Sequence, residues 1–387
     1  MRPPEGYLAA KPGQVCLLKK SLYGLKQASR EWNTAFCGSL IAYGFRQSSH
    51  DHCLFLKGDN TSFLALLVYV DDVLLTGSNE SDIAHLKHYL DGLFTIKDLG
   101  YAKYFLGVEI ARSEQGTYLC QRKYILDILR DTKMMDCKVA STPLPPGIKL
   151  IHGAGTPLSN PEQFRRLIGR LLYLNFTRPD IAFATQQLSQ FVGQPHTSHW
   201  EAALHVLRYL KGCPSVGLFY SVSAACSLTA YSDADWGTCP DTRKSLTGYC
   251  VFYGNCLISW KTKKQTTVSR SSAEAEYRAL GTTVCELQWL YYIAQDLQLS
   301  LPTPIDLWCD NQAAMHIVAN PVFHERTKHL DIDCHIVRNK FKDGFLLLKH
   351  VTSRHQLADI FTKALGCQAF QRILSKFGLQ DFLRSPT

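Results

Sequence analysis

The sequence predicts a mixed α/β chain, and three observations predict it. Hydrophobic residues make up 46% of the 387 and charged residues 19%, the balance of a chain that buries a core. Short apolar runs bounded by turn residues alternate with stretches of helical periodicity. The last third reads strand, strand, strand, helix, strand, helix, then more helix and one more strand, a layered α/β pattern. The length suits two to three domains, and the composition falls at residues 138–161 into a proline- and glycine-rich break. Three parts result: 1–137, 138–225 and 226–387.

In the first part, residues 14–19 are predicted as a strand and 29–40 as a helix. Residues 62–70 form a continuous buried-strand pattern, closed by Asp71-Asp72 and followed by a second apolar run, Val73-Leu74-Leu75-Thr76. Residues 81–94 read as a helix capped by Ser81 or Asn79. Residues 104–111 and 117–120 read as strands around a turn at 113–116.

Pro143, Pro145, Pro146, Pro157 and Pro161 with Gly147, Gly153 and Gly155 mark a linker or long irregular connection. Helices follow: one opening at Pro161, one over 180–191, and one from the capping-box pair Ser198 and Glu201 to near Gly212. In the last part, residues 228–231, 248–253 and 256–260 are predicted strands, the latter two joined as a hairpin at Tyr253-Gly254-Asn255. A long helix spans about 272–297, its stripe Ala273, Tyr277, Leu280, Val284, Leu287, Tyr291 and Ala294 stepping by four and three. Strands at 305–309 and 345–351 and helices at 311–318 and 356–365 complete the reading.

Several classes are excluded. The longest clean apolar run has eight residues, 63–70, against about 20 for a membrane-spanning helix. Residues 1–7 lack the apolar segment of a signal peptide. The 14 cysteines include no C-x-x-C pair, so they read as reduced thiols. The net charge of +9 is uneven: +1 over 1–137, +5 over 138–225 and +3 over 226–387. Such a bias fits a polyanionic partner without demonstrating one.

Carboxylates fall where apolar strands stop. Asp71 and Asp72 sit between two apolar runs, at the tip of a strand–turn–strand; adjacent like charges repel, and a divalent metal is the usual compensation. A solvated turn is the plainer reading. Asp233, Glu274, Asp310 and Asp359 lie at the ends or starts of four elements in the last part. Four such acids suffice to hold two Mg²⁺ ions about 4 Å apart for phosphodiester hydrolysis, although singly each reads as a cap or surface acid.

The run Leu22-Tyr23-Gly24-Leu25-Lys26-Gln27-Ala28-Ser29-Arg30-Glu31-Trp32, followed by Tyr69-Val70-Asp71-Asp72, closely resembles the reverse transcriptase of Ty1/copia-type long-terminal-repeat retrotransposons. Lys97-Asp98-Leu99-Gly100, Tyr104-Phe105-Leu106-Gly107-Val108-Glu109-Ile110, Ser141-Thr142-Pro143-Leu144 and Thr177-Arg178-Pro179-Asp180-Ile181 are similar to its later motifs. The last part resembles the family's ribonuclease H domain through Ser232-Asp233-Ala234-Asp235-Trp236, residues 269–277, Cys309-Asp310-Asn311-Gln312-Ala313-Ala314 and Ala358-Asp359-Ile360-Phe361-Thr362-Lys363. The resemblance covers essentially the whole chain and suggests a plant element.

The resemblance implies an α+β palm remnant over 1–137, a helical thumb and connection over 138–225, and a ribonuclease H-like mixed five-stranded sheet with helices over 226–387. Asp71 and Asp72 would be polymerase metal ligands, with Tyr69 beside them and Gln27 near the incoming nucleotide. Phe105, Leu106 and Gly107 would form the primer grip. Asp233, Glu274, Asp310 and Asp359 would be the ribonuclease H acids and hold Mg²⁺ or Mn²⁺. Asp235 is interchangeable with Asp233 in that assignment, Asp331 and Asp333 read as surface acids, and His350 and His355 lie near Asp359, where related enzymes outside this family use a mobile histidine. The implied partners are template-primer nucleic acid, RNA/DNA hybrids and other Pol or Gag products. The implied location is a cytoplasmic virus-like particle or the nucleus, not the outside of the cell and not a membrane. The basic run Lys261-Thr262-Lys263-Lys264-Gln265 reads equally as a phosphate contact or a solvated loop.

In this family the reverse transcriptase begins before the segment matching residues 1–7, and the preceding part holds most of the fingers and the first metal-binding Asp. DNA polymerase activity is therefore expected to be absent from this chain alone, while the ribonuclease H acids are expected to be complete. The chain then reads as an RNA/DNA-hybrid ribonuclease attached to a polymerase remnant; the other reading is a non-catalytic transposon relic that at most binds nucleic acid.

Overall fold

A computed structural model describes residues 2–383 apart from Leu8, Ala10, Pro12, residues 19–21, Tyr23, Asn60 and residues 320–330. The chain divides into two compact units, residues 1–100 with 296–298, and residues 101–295 with 299–387.

In the first unit, helix α1 (Ala28–Ala42) precedes an antiparallel meander of β1 (Arg46–Gln47), β2 (Leu54–Lys57), β3 (Leu64–Tyr69) and β4 (Asp72–Gly77), paired in that order. Helix α2 (Glu80–Leu93) follows, capped by Asn79, whose side chain accepts the Ser81 N–H at 2.8 Å. Phe36, Leu40, Phe55, Leu66, Leu86 and Leu90 form the core. No strand forms at 14–18, part of the predicted 14–19 strand, and Lys19 lies outside the described residues, as does Tyr23 of the first motif.

The second unit holds two five-stranded sheets. One is antiparallel throughout, in the order β14 (Leu379–Asp381), β8 (Val216–Ser221), β7 (Gly116–Cys120), β6 (Val108–Ser113), β5 (Tyr104–Phe105). The predicted 104–111 strand is broken by a turn at Leu106 and Gly107, both at positive φ (47° and 75°). The other sheet is mixed, in the order β11 (Cys256–Lys264), β10 (Leu246–Tyr253), β9 (Leu228–Ala234), β12 (Ile305–Cys309), β13 (Leu346–His350). Strands β9, β10 and β11 pair antiparallel, whereas β12 runs parallel to both β9 and β13. That order, with helix α7 (Ser272–Asp296) packing its apolar stripe against the sheet, is ribonuclease H-like.

Helices α3 (Arg122–Asp131), α4 (Pro161–Leu174), α5 (Ala182–Ser189) and α6 (Thr197–Gly212) share one core with Phe252, Leu257, Phe361, Phe370 and Phe377 of the last part. The compact units therefore follow neither 137/138 nor 225/226: continuous apolar packing joins the middle of the chain to its end. The proline-rich segment has no regular structure, yet Leu144 and Leu150 are buried in the same core.

Three predicted helix starts shift. The 180–191 helix opens as a 3₁₀ turn at Pro179–Ile181, where the fully buried Arg178 guanidinium clasps the Asp180 carboxylate at 2.7 Å and Tyr209 donates to it at 2.6 Å. The α6 cap is His196, whose N–H donates to His199 Nδ1 at 3.0 Å, while Ser198 Oγ donates to the Ala154 carbonyl instead. The predicted 356–365 helix is a 3₁₀ turn over Leu357–Phe361. Gln356 explains it, because its side chain accepts the Ala358 N–H at 3.1 Å and donates to the Ser232 carbonyl at 2.9 Å, pinning the turn to the sheet. Helices α8 (Gln312–Ala319), α9 (Asp331–Lys342) and α10 (Cys367–Leu374) complete the unit; the side chains of Asp331 and Asp333 lie outside the described residues.

Candidate active site

Four acids converge at the carboxyl end of the parallel pair β9–β12. Asp233, 1% exposed, lies near the end of β9. Asp310 follows β12 and accepts a hydrogen bond from Ser353 Oγ at 2.8 Å. Asp359 comes from the 3₁₀ turn, whose approach is permitted by Gly248: a Cβ there would stand 2.6 Å from Thr362 Cγ2 and 2.8 Å from Phe361 Cβ. The fourth acid comes from α7, and it is Glu276, not Glu274.

Glu274 and Glu276 are two residues apart, hence about 200° around a helix. Glu276 follows Ala273 by three and precedes Leu280 by four, so it lies within the stripe that faces the sheet. Its carboxylate accepts from the Ala234 N–H and shares a pocket with Asp310 and the Cys309 thiol, the ligand atoms of all three within 4.8 Å of one another. Glu274 turns back to the helix start, accepting the Arg270 N–H at 2.8 Å and pairing with Arg278 at 3.0 Å. The signal that distinguishes them is legible in the sequence: an acid inside an apolar stripe is costly to bury and calls for a reason.

Asp235, interchangeable with Asp233 at the sequence level, is separated from it by its partners. It accepts from the Leu246 N–H and the Thr238 hydroxyl and so closes the loop after β9. Two further residues of the late motif join the site. Thr362 donates its hydroxyl to Asp233, and the Lys363 ammonium lies 2.7 Å from Asp359 and 3.5 Å from Asp233.

The electrostatics follow from crowding. Burial, then the charges of Asp233 and Asp310, push Glu276 up to about 9. Burial and Asp233 raise Asp359 to about 6, against the pull of Lys363. Burial also raises Asp233, with Lys363 and Thr362 opposing it. Lys363 is held above its usual value because Asp233 and Asp359 outweigh its partial burial. Burial, followed by Glu276, raises the Cys309 thiol, which keeps it protonated and a poor ligand. The set that remains is four carboxylates, oxygen donors that suit a hard divalent cation. His350 ends β13 and His355 precedes the 3₁₀ turn, both exposed; His355 Nδ1 is 2.9 Å from the Thr352 hydroxyl.

The acids of the first unit are arranged differently. Tyr69 pairs with Asp72 across the β3–β4 hairpin, leaving Val70 and Asp71 as the two-residue tip, with Val70 at φ 51°. Tyr69, Asp71 and Asp72 are all exposed, and among the described residues no third His, Cys, Asp or Glu joins the two acids as a ligand group. Gln27, exposed, precedes α1 without making a side-chain cap. Phe105, Leu106 and Gly107 belong to the other unit, where the Tyr173 hydroxyl donates to the Leu106 carbonyl. The space beside Gly107 is closed, since a Cβ would clash with the Tyr173 hydroxyl.

The profile of the reverse transcriptase (RNA-dependent DNA polymerase) family matches residues 1–146. The retrovirus-related Pol polyprotein from transposon RE1 of Arabidopsis thaliana is 43% identical over 98% of this chain, which covers 26% of that protein. A transposon Ty5-1 protein of Saccharomyces cerevisiae is 31% identical over 74% of this chain and 94% of its own length. Among solved structures, the N-terminal RNase H domain of Rv2228c from Mycobacterium tuberculosis overlaps 39% of this chain and 98% of its own, at 13% identity and a TM-score of 0.27. The sheet order of the chain itself, rather than that overlap, defines its fold. The chain spans about a quarter of the length of the curated Pol polyproteins it matches. No helix among the described residues is long and apolar enough to cross a membrane.

Proposed function

Because the chain belongs to the Ty1/copia-type retrotransposon Pol family, we propose that Asp233, Glu276, Asp310 and Asp359 form a ribonuclease H site cutting the RNA strand of RNA/DNA hybrids. The observation that carries this reading is the convergence of four carboxylates from four elements, with Asp233, Glu276 and Asp359 raised in pKa by burial and mutual repulsion. Such crowding is unfavourable for a metal-free protein and is relieved by cations.

The four carboxylates would hold Mg²⁺ or Mn²⁺, which when bound supplies Lewis-acid stabilisation of the reacting phosphate and lowers the pKa of a water. The chain's own residues set the geometry. Thr362 fixes the rotamer of Asp233, and Ser353 orients Asp310. Gln356 and Gly248 hold the 3₁₀ turn against the sheet, so that Asp359 faces Asp233. Lys363 partly neutralises the pair Asp233 and Asp359.

DNA synthesis is not assigned to this chain. Among the described residues, the two exposed acids on the hairpin tip have no third ligand of the kind a two-metal polymerase centre would need. Template-primer nucleic acid and other Pol or Gag products are therefore partners of the intact polyprotein in this reading.

The test uses the full chain with a hybrid labelled on its RNA strand. Mg²⁺-dependent cleavage is expected, and Asp310→Asn is expected to reduce it on the order of a thousandfold while hybrid binding in Ca²⁺ changes far less. Cleavage by Asp310→Asn at the wild-type rate would overturn the assignment.

A further inference from the structure

Trp236 follows Asp233 by three residues, in the loop that leaves the acid-bearing end of β9, and is 54% exposed. An indole so exposed is usually free to reorient. This one is tied down: its N–H donates to the Ser269 carbonyl at 3.0 Å. Ser269 is itself buried, its hydroxyl donating to Gln265 at 3.0 Å, and Gln265 donates to Thr247 and to the Ala275 carbonyl at the start of α7. The ring is thus anchored through the segment that leads into the helix supplying Glu276, and Val268 and Arg270, on either side of Ser269 in the chain, are exposed.

The charge of the segment that anchors the ring is one-sided. Residues 261–272 hold four cations, Lys261, Lys263, Lys264 and Arg270, and no acid. Lys264 is engaged with Gln190 and Cys239, while Lys261, Lys263 and Arg270 are exposed. An anchored aromatic face in the loop after Asp233, tied to a segment that carries cations and no acid, has the chemistry that holds a nucleic-acid strand: stacking against a sugar or base, with phosphates on the cations. Its polar edge is already satisfied internally, so the face is what remains to offer.

Resting on the ribonuclease H reading, we propose that Trp236 is a substrate-positioning platform, packing on the hybrid beside the cleavage site, with Arg270 on a flanking phosphate. The step involves no chemistry at the indole. Its effect is to fix the register of the strand over the four acids.

The test measures hybrid binding by the full chain in Ca²⁺, by fluorescence anisotropy of a labelled RNA/DNA hybrid, together with steady-state cleavage in Mg²⁺. Trp236→Ala is expected to weaken binding about tenfold and to raise KM with little change in kcat. Trp236→Phe, which keeps a ring but loses the N–H, is expected to recover most of the affinity. Trp236→Ala binding hybrids as tightly as the wild type, with an unchanged far-ultraviolet circular dichroism spectrum and melting temperature, would overturn the proposal. So would equal loss in the Ala and Phe variants, which would make the Ser269 bond the whole effect. If the wild type binds hybrid through Trp236 but never cleaves it, the platform stands and the ribonuclease reading falls.

Discussion

Gly248 stands directly opposite Asp233 in the antiparallel pair β10–β9, and it is the absence of a side chain there that lets the 3₁₀ turn reach the acid. The neighbours of a Cβ at this position would be Thr362, Phe361 and the Ala358 carbonyl, the last at 3.1 Å. Thr362 holds Asp233, and Asp359 lies on the same turn. Backbone packing and carboxylate placement are therefore one feature.

Gly248→Ala is expected to push the turn off the sheet. Overpacking of this kind costs about 1–3 kcal/mol, and hybrid cleavage should drop by more than the stability loss explains. Thermal unfolding together with cleavage at a temperature where the variant is fully folded checks this. An unchanged rate would show that the turn adjusts without moving Asp359.

The two glutamates of α7 should separate cleanly. Glu276→Gln is expected to lower cleavage by about a thousandfold, whereas Glu274→Gln should leave the rate within a few-fold. Losing the Arg278 pair and the Arg270 N–H contact should instead lower stability by about 1 kcal/mol. The reverse pattern would restore Glu274 to the acid set.

The acid cluster makes the metal-free protein sensitive to pH. A carboxyl whose pKa is higher folded than unfolded binds its proton more tightly when folded, so stability is greatest below the unfolded pKa and declines as pH rises through the window. For Glu276 that window runs from its ordinary 4.5 to about 9, and for Asp359 from 3.8 to about 6. In EDTA the melting temperature of the second unit should fall between pH 5 and 9, and Glu276→Gln should flatten the fall above pH 6. Mg²⁺ should counter the decline by binding the folded state. A melting temperature in EDTA that rises over this range would contradict the crowding.

The last third should not fold alone. Strand β14 pairs with β8, and Phe252, Leu257, Phe361, Phe370 and Phe377 pack on helices contributed by residues 122–212. Residues 226–387 expressed by themselves are expected to aggregate or to lack near-ultraviolet dichroism, whereas residues 101–387 should unfold cooperatively. A soluble, cooperative 226–387 fragment would show that the shared core is dispensable.

The sequence by itself determined most elements of the mixed sheet. The β10–β11 hairpin is written in Gly254-Asn255, and the α7 stripe in its steps of four and three, because both patterns are local consequences of backbone geometry. It also placed Asp233, Asp310 and Asp359 at element ends, where the structure brings them together. Tertiary structure alone decided the rest. Strands β8 and β14, far apart in the chain, find each other only because loop closure brings them to one edge. Gln356 shortened a predicted helix through a bond to Ser232, more than a hundred residues away. The apolar stripe of α7 favours Glu276 over Glu274, but only the structure shows its carboxylate meeting Asp310 and the Ala234 N–H. A carboxylate's role is set by what faces it across space: Glu274 and Glu276 are equally buried, and only Glu276 meets the other acids of the site.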